Sequence, residues 1–482
     1  ALEEERTVGE TTSTVQYGVQ YTVTISGFTN DVNQVKVRIP AGAVTDEHGN
    51  KNKATDLIVY NVLKSASTEK AVTSNFLGKA IQRQNIDNIT FEKSIPDSVY
   101  NHDTKKITDT TRAWDVSAQG DESIVAWYVD SEIRNGIYKV HIANNNQAYG
   151  SAEVSNNEIF ANTDSSYLFS GIGSSDKATS TEAITNIGLL NVSSVTNMRA
   201  MFNWTGKKAM TSLDLGDKFD TSNVTDMGYM FYETGYTAMT SLDLGDKFDT
   251  SKVTNMNGMF HETGYIAMTS FDLKDKFDTS NVTDMGYMFY ETGYTAMTSF
   301  DLRDKFDTSN VTDMGYMFYE TGYIAMTSLD LGSKFDTSSV VDMNAMFMST
   351  GEWAMTRLNL GDKFDTSNVI DMRRMFLRTG YKAMTSLDLG DKFDTTKAAT
   401  AIVDEDTHKN GMAAMFDMTG ETAMTSLDLG PAFTQISEAS NNNIFDLTGK
   451  ADTIVIKAPE AIFENNKTFK LSTDSDTTIN FT

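Results

Sequence analysis

Eleven residues, TSNVTDMGYMF, stand at 221–231 and return unchanged at 279–289 and 308–318. Repetition this close constrains the fold more than any other property of the chain, because equal segments must find equivalent neighbours. The period follows by subtraction. The first residue of a Leu/Phe-Asp/Asn-Leu core lies at Leu213, Leu242, Phe271, Phe300, Leu329, Leu358 and Leu387, each step being 29 residues. The next copy, Leu427, comes after 40, so eleven residues are inserted near KAATAIVDEDTHKN. A Met-Phe marker repeats the result, with its phenylalanine at 202, 231, 260, 289, 318, 347, 376, 416 and 445 and a degenerate copy at Phe169. The array therefore spans about residues 161–457, in nine or ten units.

Within the unit MTSLDLGDKFDTSNVTDMGYMFYETGYTA, the SLDL segment alternates apolar and polar residues, which predicts a strand. Leu213 and Leu215 then share one face and Asp214 takes the other. Val224, Met227, Met230 and Phe231 recur at spacings of three and four, which predicts one or two helical turns, with Asp226 placed as the N-cap. Gly235, Gly264, Gly293, Gly322, Gly351, Gly380 and Gly420 are invariant among the copies, which predicts a positive φ that ends the helical turn. Gly216 is replaced by Lys274 and Arg303 in other copies, so that position cannot demand a left-handed backbone. The apolar side chains of one unit cannot offset the entropy of ordering it, so units must stack and share a core with capped ends.

The wording LDLGDKFDTSNVTDMGYMF resembles the repeat of the BspA-like bacterial surface-protein class, seen in Listeria-type and Mycoplasma-type lipoproteins and lactic-acid-bacterial adhesins. That family's unit has 26 residues; here Ile187 to Leu213 spans 26 and later units span 29, the extra residues lying in GDKF. The resemblance implies a leucine-rich-repeat-like solenoid, with one short strand and one short helical turn per unit. It also implies a cell-surface location and a role in adhesion, without naming a ligand.

The flanks read differently. YTVTISGFT, NQVKVRIPAGAVTDEHGNKN and DLIVYNVL alternate like strands, and residues 1–63 resemble the closing part of a bacterial Ig-like domain. Residues 64–160 are expected to form an α/β cap, with STEKAVTSNFLGKAIQRQ as a capped helix and ESIVAWYVD and GIYKVHIAN as strands. Residues 458–482 are expected to form a β cap at the far end. The opening ALEEERTVGE is not a signal peptide, which fits a mature form, a fragment or a protein that is not exported.

Composition removes several functions. With 66 acidic and 40 basic residues, the net charge of −26 argues against nucleic-acid binding. The absence of cysteine excludes disulfides, thiolate metal sites and a cysteine nucleophile. No apolar run reaches the ~18 residues of a membrane helix. The five histidines (48, 102, 141, 261 and 408) are scattered, and no catalytic or phosphate-cradling motif is present. The chain is read as a non-enzyme with no cofactor.

Two columns and a set of irregular positions are the candidate sites. Asp214, Asp243, Asp272, Asp301, Asp330, Asp388 and Asp428, interrupted by Asn359, form a ladder for a cationic partner or calcium. The bland alternative is screening by the parallel column Lys218, Lys247, Lys276, Lys305, Lys334, Lys363 and Lys392. The DKFD segment lacks the order of an EF-hand loop, so no metal site is assigned. Tyr229, Tyr232 and Tyr236 recur as a stripe that reads as a cover for the edge of the core. Units that break the template, at Trp204, His261, Trp353, Arg373, Arg374 and Arg378, mark where a ligand would be recognised. The expected partner is a host or neighbouring-cell protein or glycan. The rival reading is a spacer or surface-layer component with no ligand on the repeats.

Overall fold

The computed structural model describes residues 62–145 and 159–462, apart from 69, 271, 274–276, 303–305, 405–408, 437–443, 446–447 and 450–453. It also describes the backbone of five strands of two or three residues between positions 6 and 59. The Ig-like reading of 1–63 and the β cap at 458–482 therefore lie almost wholly outside the described residues, as do the side chain of Asp301, His48 and His408.

Consecutive units lie side by side. Strand Ser212–Asp214 pairs in parallel with Ser241–Asp243, so that Leu213 faces Leu242. Ser299–Asp301, Ser328–Asp330 and Arg357–Asn359 form a second parallel group, and Ser386–Asp388, Ser426–Asp428 and Val455–Lys457 a third. A second ladder runs through each unit's other side, as parallel bridges linking Asp164, Asn197, Asp226, Asn255, Asp284, Asp313, Asp342 and Asp371 in turn. The leucines point in because the alternation demands it. Leu242 is 5% exposed, whereas Ser241 and Asp243 are exposed.

The expected helical turn is absent. Residues 228–238 form a chain of tight turns that includes left-handed residues, Tyr229 at φ 57° and Glu233 at φ 51°. The reason is the destination of the N–H groups. Those of Met230, Tyr232 and Thr234 close turns onto Met227, Tyr229 and Phe231 within the unit. Those of Met227, Tyr229, Phe231 and Glu233 donate to Asn255, Asn257, Met259 and His261 of the next unit. An α-helix would keep all of these bonds to itself and leave the neighbour unpaired. Asp226 caps a turn, not a helix, accepting the Gly228 N–H at 2.9 Å. The apolar assignment holds, since Val224, Met227, Met230 and Phe231 are each 0% exposed.

Two columns of phenylalanine rings run the length of the core. In one, Phe202, Phe231, Phe260 and Phe289 stack face to face at 5.4, 5.4 and 5.7 Å, and Phe376, Phe416 and Phe445 continue at 5.3 Å. In the other, Phe248, Phe277, Phe306 and Phe335 stack at 6.1–6.5 Å. Buried threonines tie the units together. The Oγ1 of Thr234, Thr263, Thr292, Thr321 and Thr350 each donates at 2.6–2.7 Å to a phenylalanine carbonyl 32 residues earlier. Thr221, Thr250, Thr279, Thr308 and Thr337 donate in the other direction, to an Asp carbonyl 28 residues later.

Glycine marks two corners. Gly293 sits at φ +55°, and a Cβ there would lie 2.6 Å from Met297. Gly216 and its equivalents Gly245, Gly332, Gly361, Gly390 and Gly430 all lie at φ between +69° and +78°. Lys274 and Arg303, which stand at this corner in two other copies, fall outside the described residues.

Ahead of the array, five strands form a mixed sheet in the order Ala113–Asp115, Ile124–Trp127, Tyr138–Asn144, Ile86–Phe91 and Ile184–Thr185. The second and third are the expected strands. The expected capped helix over 67–84 is instead an antiparallel hairpin, Asn75–Phe76 with Lys79–Gln82, turning at Leu77 (φ 45°) and Gly78 (φ 91°). The Phe-Leu-Gly-Lys turn chemistry outweighs the helical spacing. Beside it Arg83, 0% exposed, donates to the carbonyls of Tyr167, Leu168 and Ser170 and so fastens the sheet to the first turn of the array. The eleven-residue insertion adds the helix Thr396–Thr400 and a hairpin of Ile402–Asp404 with Lys409–Asn410.

Candidate ligand-binding surface

The aspartate ladder stands on the outer face of the strands. Five of the described carboxylates have a local task, since Asp214, Asp243, Asp330, Asp388 and Asp428 accept the N–H of the left-handed glycine two residues on, at 2.8–3.2 Å. Asn359 does the same for Gly361 at 3.3 Å and donates to Asp330 at 3.1 Å. Lys457 closes the ladder against Asp428 at 3.0 Å. Asp272 is exposed in the same column. Among the described residues, no group of three or more His, Asp or Glu could hold a metal ion.

The turn corner of the array is chemically richer. Tyr236, Tyr265, Tyr294 and Tyr323 form a column of parallel rings at 4.5–4.6 Å. A second column comprises Tyr232, His261, Tyr290 and Tyr319 at 4.3–4.7 Å. In a third, Tyr287 and Tyr316 stack at 4.9 Å. In sequence the row Glu233, Glu262, Glu291 and Glu320 falls between the first two columns. Burial, then the neighbouring charges of Glu262 and Glu320, push the Glu291 carboxyl up to about 7. Burial also raises Glu320 and drives the hydroxyls of Tyr290, Tyr294 and Tyr319 upward, Tyr294 to about 12. His261 lies 3.2 Å from Glu262.

A cation closes each end of this row. At one end Lys207 binds Glu233 and lies over the rings of Trp204 at 4.3 Å and Tyr236 at 4.9 Å. At the other, Arg378 grips the Glu352 carboxylate at 2.7 and 3.0 Å, and the Tyr323 hydroxyl donates to it at 2.9 Å. Arg378 also lies over Tyr381, and Lys382 over both Tyr381 and Trp353. Trp353 is 51% exposed, the most open aromatic ring of the described residues.

The structure thus brings Arg378 and Trp353 into one cluster through Tyr381 and Lys382. Arg374 takes the place of Tyr316 two units on and is exposed. Arg373 stands apart, paired with Asp371 at 2.7 Å. It neutralises the end of the Asp226-to-Asp371 ladder, where burial and like charge push Asp342 up to about 6. Trp204 belongs to the opposite end of the row. The glutamate row and the buried threonines went unrecognised in the sequence, although ETGY recurs in every central copy. Outside the array, His141 bridges Glu92 at 3.1 Å and Glu132 at 2.8 Å and stacks on Trp127, joining parts of the N-terminal sheet.

No helix among the described residues is long and apolar enough to cross a membrane. No curated protein and no solved structure matches the chain. The profile of a family described as "Mycoplasma protein of unknown function, DUF285" matches three times, at 163–296, 234–325 and 293–402, so the repeat array is similar to the repeats of that family.

Proposed function

We propose that the chain is an extracellular bacterial surface protein whose stacked units form a leucine-rich-repeat-like solenoid of the BspA-like kind, and that it binds a host or neighbouring-cell protein or glycan. It carries no catalytic activity and no cofactor in this reading. The binding surface is the turn corner of the late units, around Trp353, Arg378, Tyr381 and Lys382. The observation that carries this is the half-exposed Trp353 beside Lys382, in the units where the tyrosine–glutamate template gives way to cations. An exposed tryptophan ringed by charge is costly in a plain spacer and is the composition of an interaction hot spot. The match to the DUF285 repeats supports a repeat protein of this general kind.

The experiment is a screen of the full chain against a glycan array and a panel of immobilised extracellular-matrix proteins, repeated with Trp353→Ala. The reading requires a bound component whose signal falls at least tenfold in the variant. The spacer reading rests on the near-identity of the central units, and a screen in which nothing binds, or in which Trp353→Ala changes nothing, favours it.

A further inference from the structure

On the strand side, the stack opens between Arg357–Asn359 and Ser386–Asp388. At four junctions, Ser212–Asp214 with Ser241–Asp243, Ser328–Asp330 with Arg357–Asn359, Ser386–Asp388 with Ser426–Asp428, and Ser426–Asp428 with Val455–Lys457, two backbone bonds tie each strand to the next. One runs from the threonine before the strand to its predecessor, as from Thr356 to Thr327 at 2.9 Å and Thr425 to Thr385 at 3.0 Å. The other runs from the leucine after the strand to the next unit, as from Leu331 to Asn359 at 3.1 Å and Leu389 to Asp428 at 3.0 Å. Between Arg357–Asn359 and Ser386–Asp388 both are missing, and the two strands belong to separate sheets. The rest of the junction stays closed. Phe364 stacks on Phe393 at 6.2 Å, Phe376 on Phe416 at 5.3 Å, and the Thr366 N–H donates to the Lys392 carbonyl at 3.2 Å. The split is thus local and built into an ordered frame.

An open hollow of about 450 Å³ occupies it, lined by Arg357, Asn359, Asp362, Ser386 and Asp388 together with the strand backbones. That volume lies within the ~300–1,000 Å³ of small-molecule sites. The unit that opens is also the one that departs from the strand template, carrying Arg357 where the other copies have serine and Asn359 where they have aspartate. The lining discriminates among ligands. One arginine and two aspartates leave the hollow net negative, which disfavours phosphate and other anions. The arginine and the absence of a metal-holding group disfavour a bare cation. An apolar ligand would strand the backbone N–H of Leu360 and Thr385 and the exposed side chains without partners. A neutral ligand dense in hydroxyls satisfies all of them, because each hydroxyl both donates and accepts.

We propose that the split between Arg357–Asn359 and Ser386–Asp388 is a binding site for a neutral sugar, separate from the turn corner and independent of the function proposed for it. Arg357 and Asn359 supply donors, Asp388 and Asp362 acceptors, and the parted backbones the remaining bonds. The test titrates the full chain with glucose, galactose, mannose, N-acetylglucosamine, lactose and maltose by saturation-transfer NMR, with hydrogen exchange at Leu360 and Thr385 as a second readout. At least one sugar is expected to bind and to slow exchange at both amides. The double variant Arg357→Ser, Asn359→Asp restores residues that the other units carry, so it folds, and it is expected to weaken binding at least tenfold. Failure of all six sugars to bind overturns the proposal. So does undiminished affinity in the double variant.

Discussion

The phenylalanine column makes the sharpest energetic demand. Phe289 is 0% exposed, stacked between Phe260 at 5.7 Å and Phe318 at 5.5 Å, with Phe300 edge-on at 4.6 Å. Phe289→Ala removes the ring from a frame that cannot collapse, because the units above and below are held by their own backbone ladders. The cost is then about 3–5 kcal/mol, the usual range for such a truncation. Phe289→Leu keeps most of the volume and loses the ring faces, at about 0.5–1.5 kcal/mol for each aromatic pair, so about 1–3 kcal/mol for the two stacked neighbours. Urea unfolding followed by far-ultraviolet circular dichroism measures both. Hydrogen exchange locates the damage: the amides of Phe260 and Phe289, which donate to Met288 and Met317, are expected to exchange faster, while that of Phe202 is unchanged. An alanine variant within ~1 kcal/mol of the parent would refute the packed column, since no well-filled core site tolerates that loss.

Other outcomes follow from the same contacts. Thr292→Val removes the bond from Oγ1 to the Phe260 carbonyl, which keeps its Thr263 partner, so a loss of about 1 kcal/mol is expected by denaturant titration and Thr292→Ser should restore it. Gly293→Ala places a β-carbon in a left-handed residue 2.6 Å from Met297 and should cost more than the ~1–2 kcal/mol of the backbone penalty alone. Arg378→Ala strands the Glu352 carboxylate, whose side chain is 2% exposed, and is expected to cost about 3 kcal/mol, with Glu352→Gln in the same background recovering part of it. Glu291 has a folded-state pKa of about 7, above its unfolded value, so its contribution to stability is complete below about pH 4.5 and is lost as pH rises through 7. Asp342, at about 6, acts with the same sign. The unfolding midpoint should therefore fall between about pH 5 and about pH 8, and Glu291→Gln should flatten that slope.

Spacing carried the period and the inward set, because both depend on which residues recur. Leu213 and Leu242, Phe231, Met227 and Val224 occupy the interior that their positions demanded. Conformation within the unit was less legible. Spacings of three and four at Val224, Met227, Met230 and Phe231 suit a helix, yet the same side chains reach the core from a chain of turns that shares its N–H groups with the next unit. That choice is made by neighbours, which no single unit displays. The corner at Gly216 was illegible for a related reason: replacement by Lys274 and Arg303 shows that glycine is not demanded, and does not show that the six described glycines there are left-handed. In the N-terminal region, the helical spacing of 67–84 lost to a tight turn at Leu77 and Gly78. The candidate surface was legible only as breaks in the template. Trp353 and Arg378 could be singled out, but their union through Tyr381, Lys382 and Glu352 needs residues from two adjacent units.

The central claim is that units 29 residues apart lie next to one another, in order, along one continuous core. The chain has no cysteine, so spin labels can be placed without background. Double electron–electron resonance on Ser212→Cys paired in turn with Ser328→Cys, Ser386→Cys and Ser426→Cys spans four, six and seven units. At a strand spacing of about 4.8 Å, the account predicts distances rising in order, near 19, 29 and 34 Å. Distances that fail to rise with unit number, or that place Ser426 closer to Ser212 than Ser328 is, would contradict it.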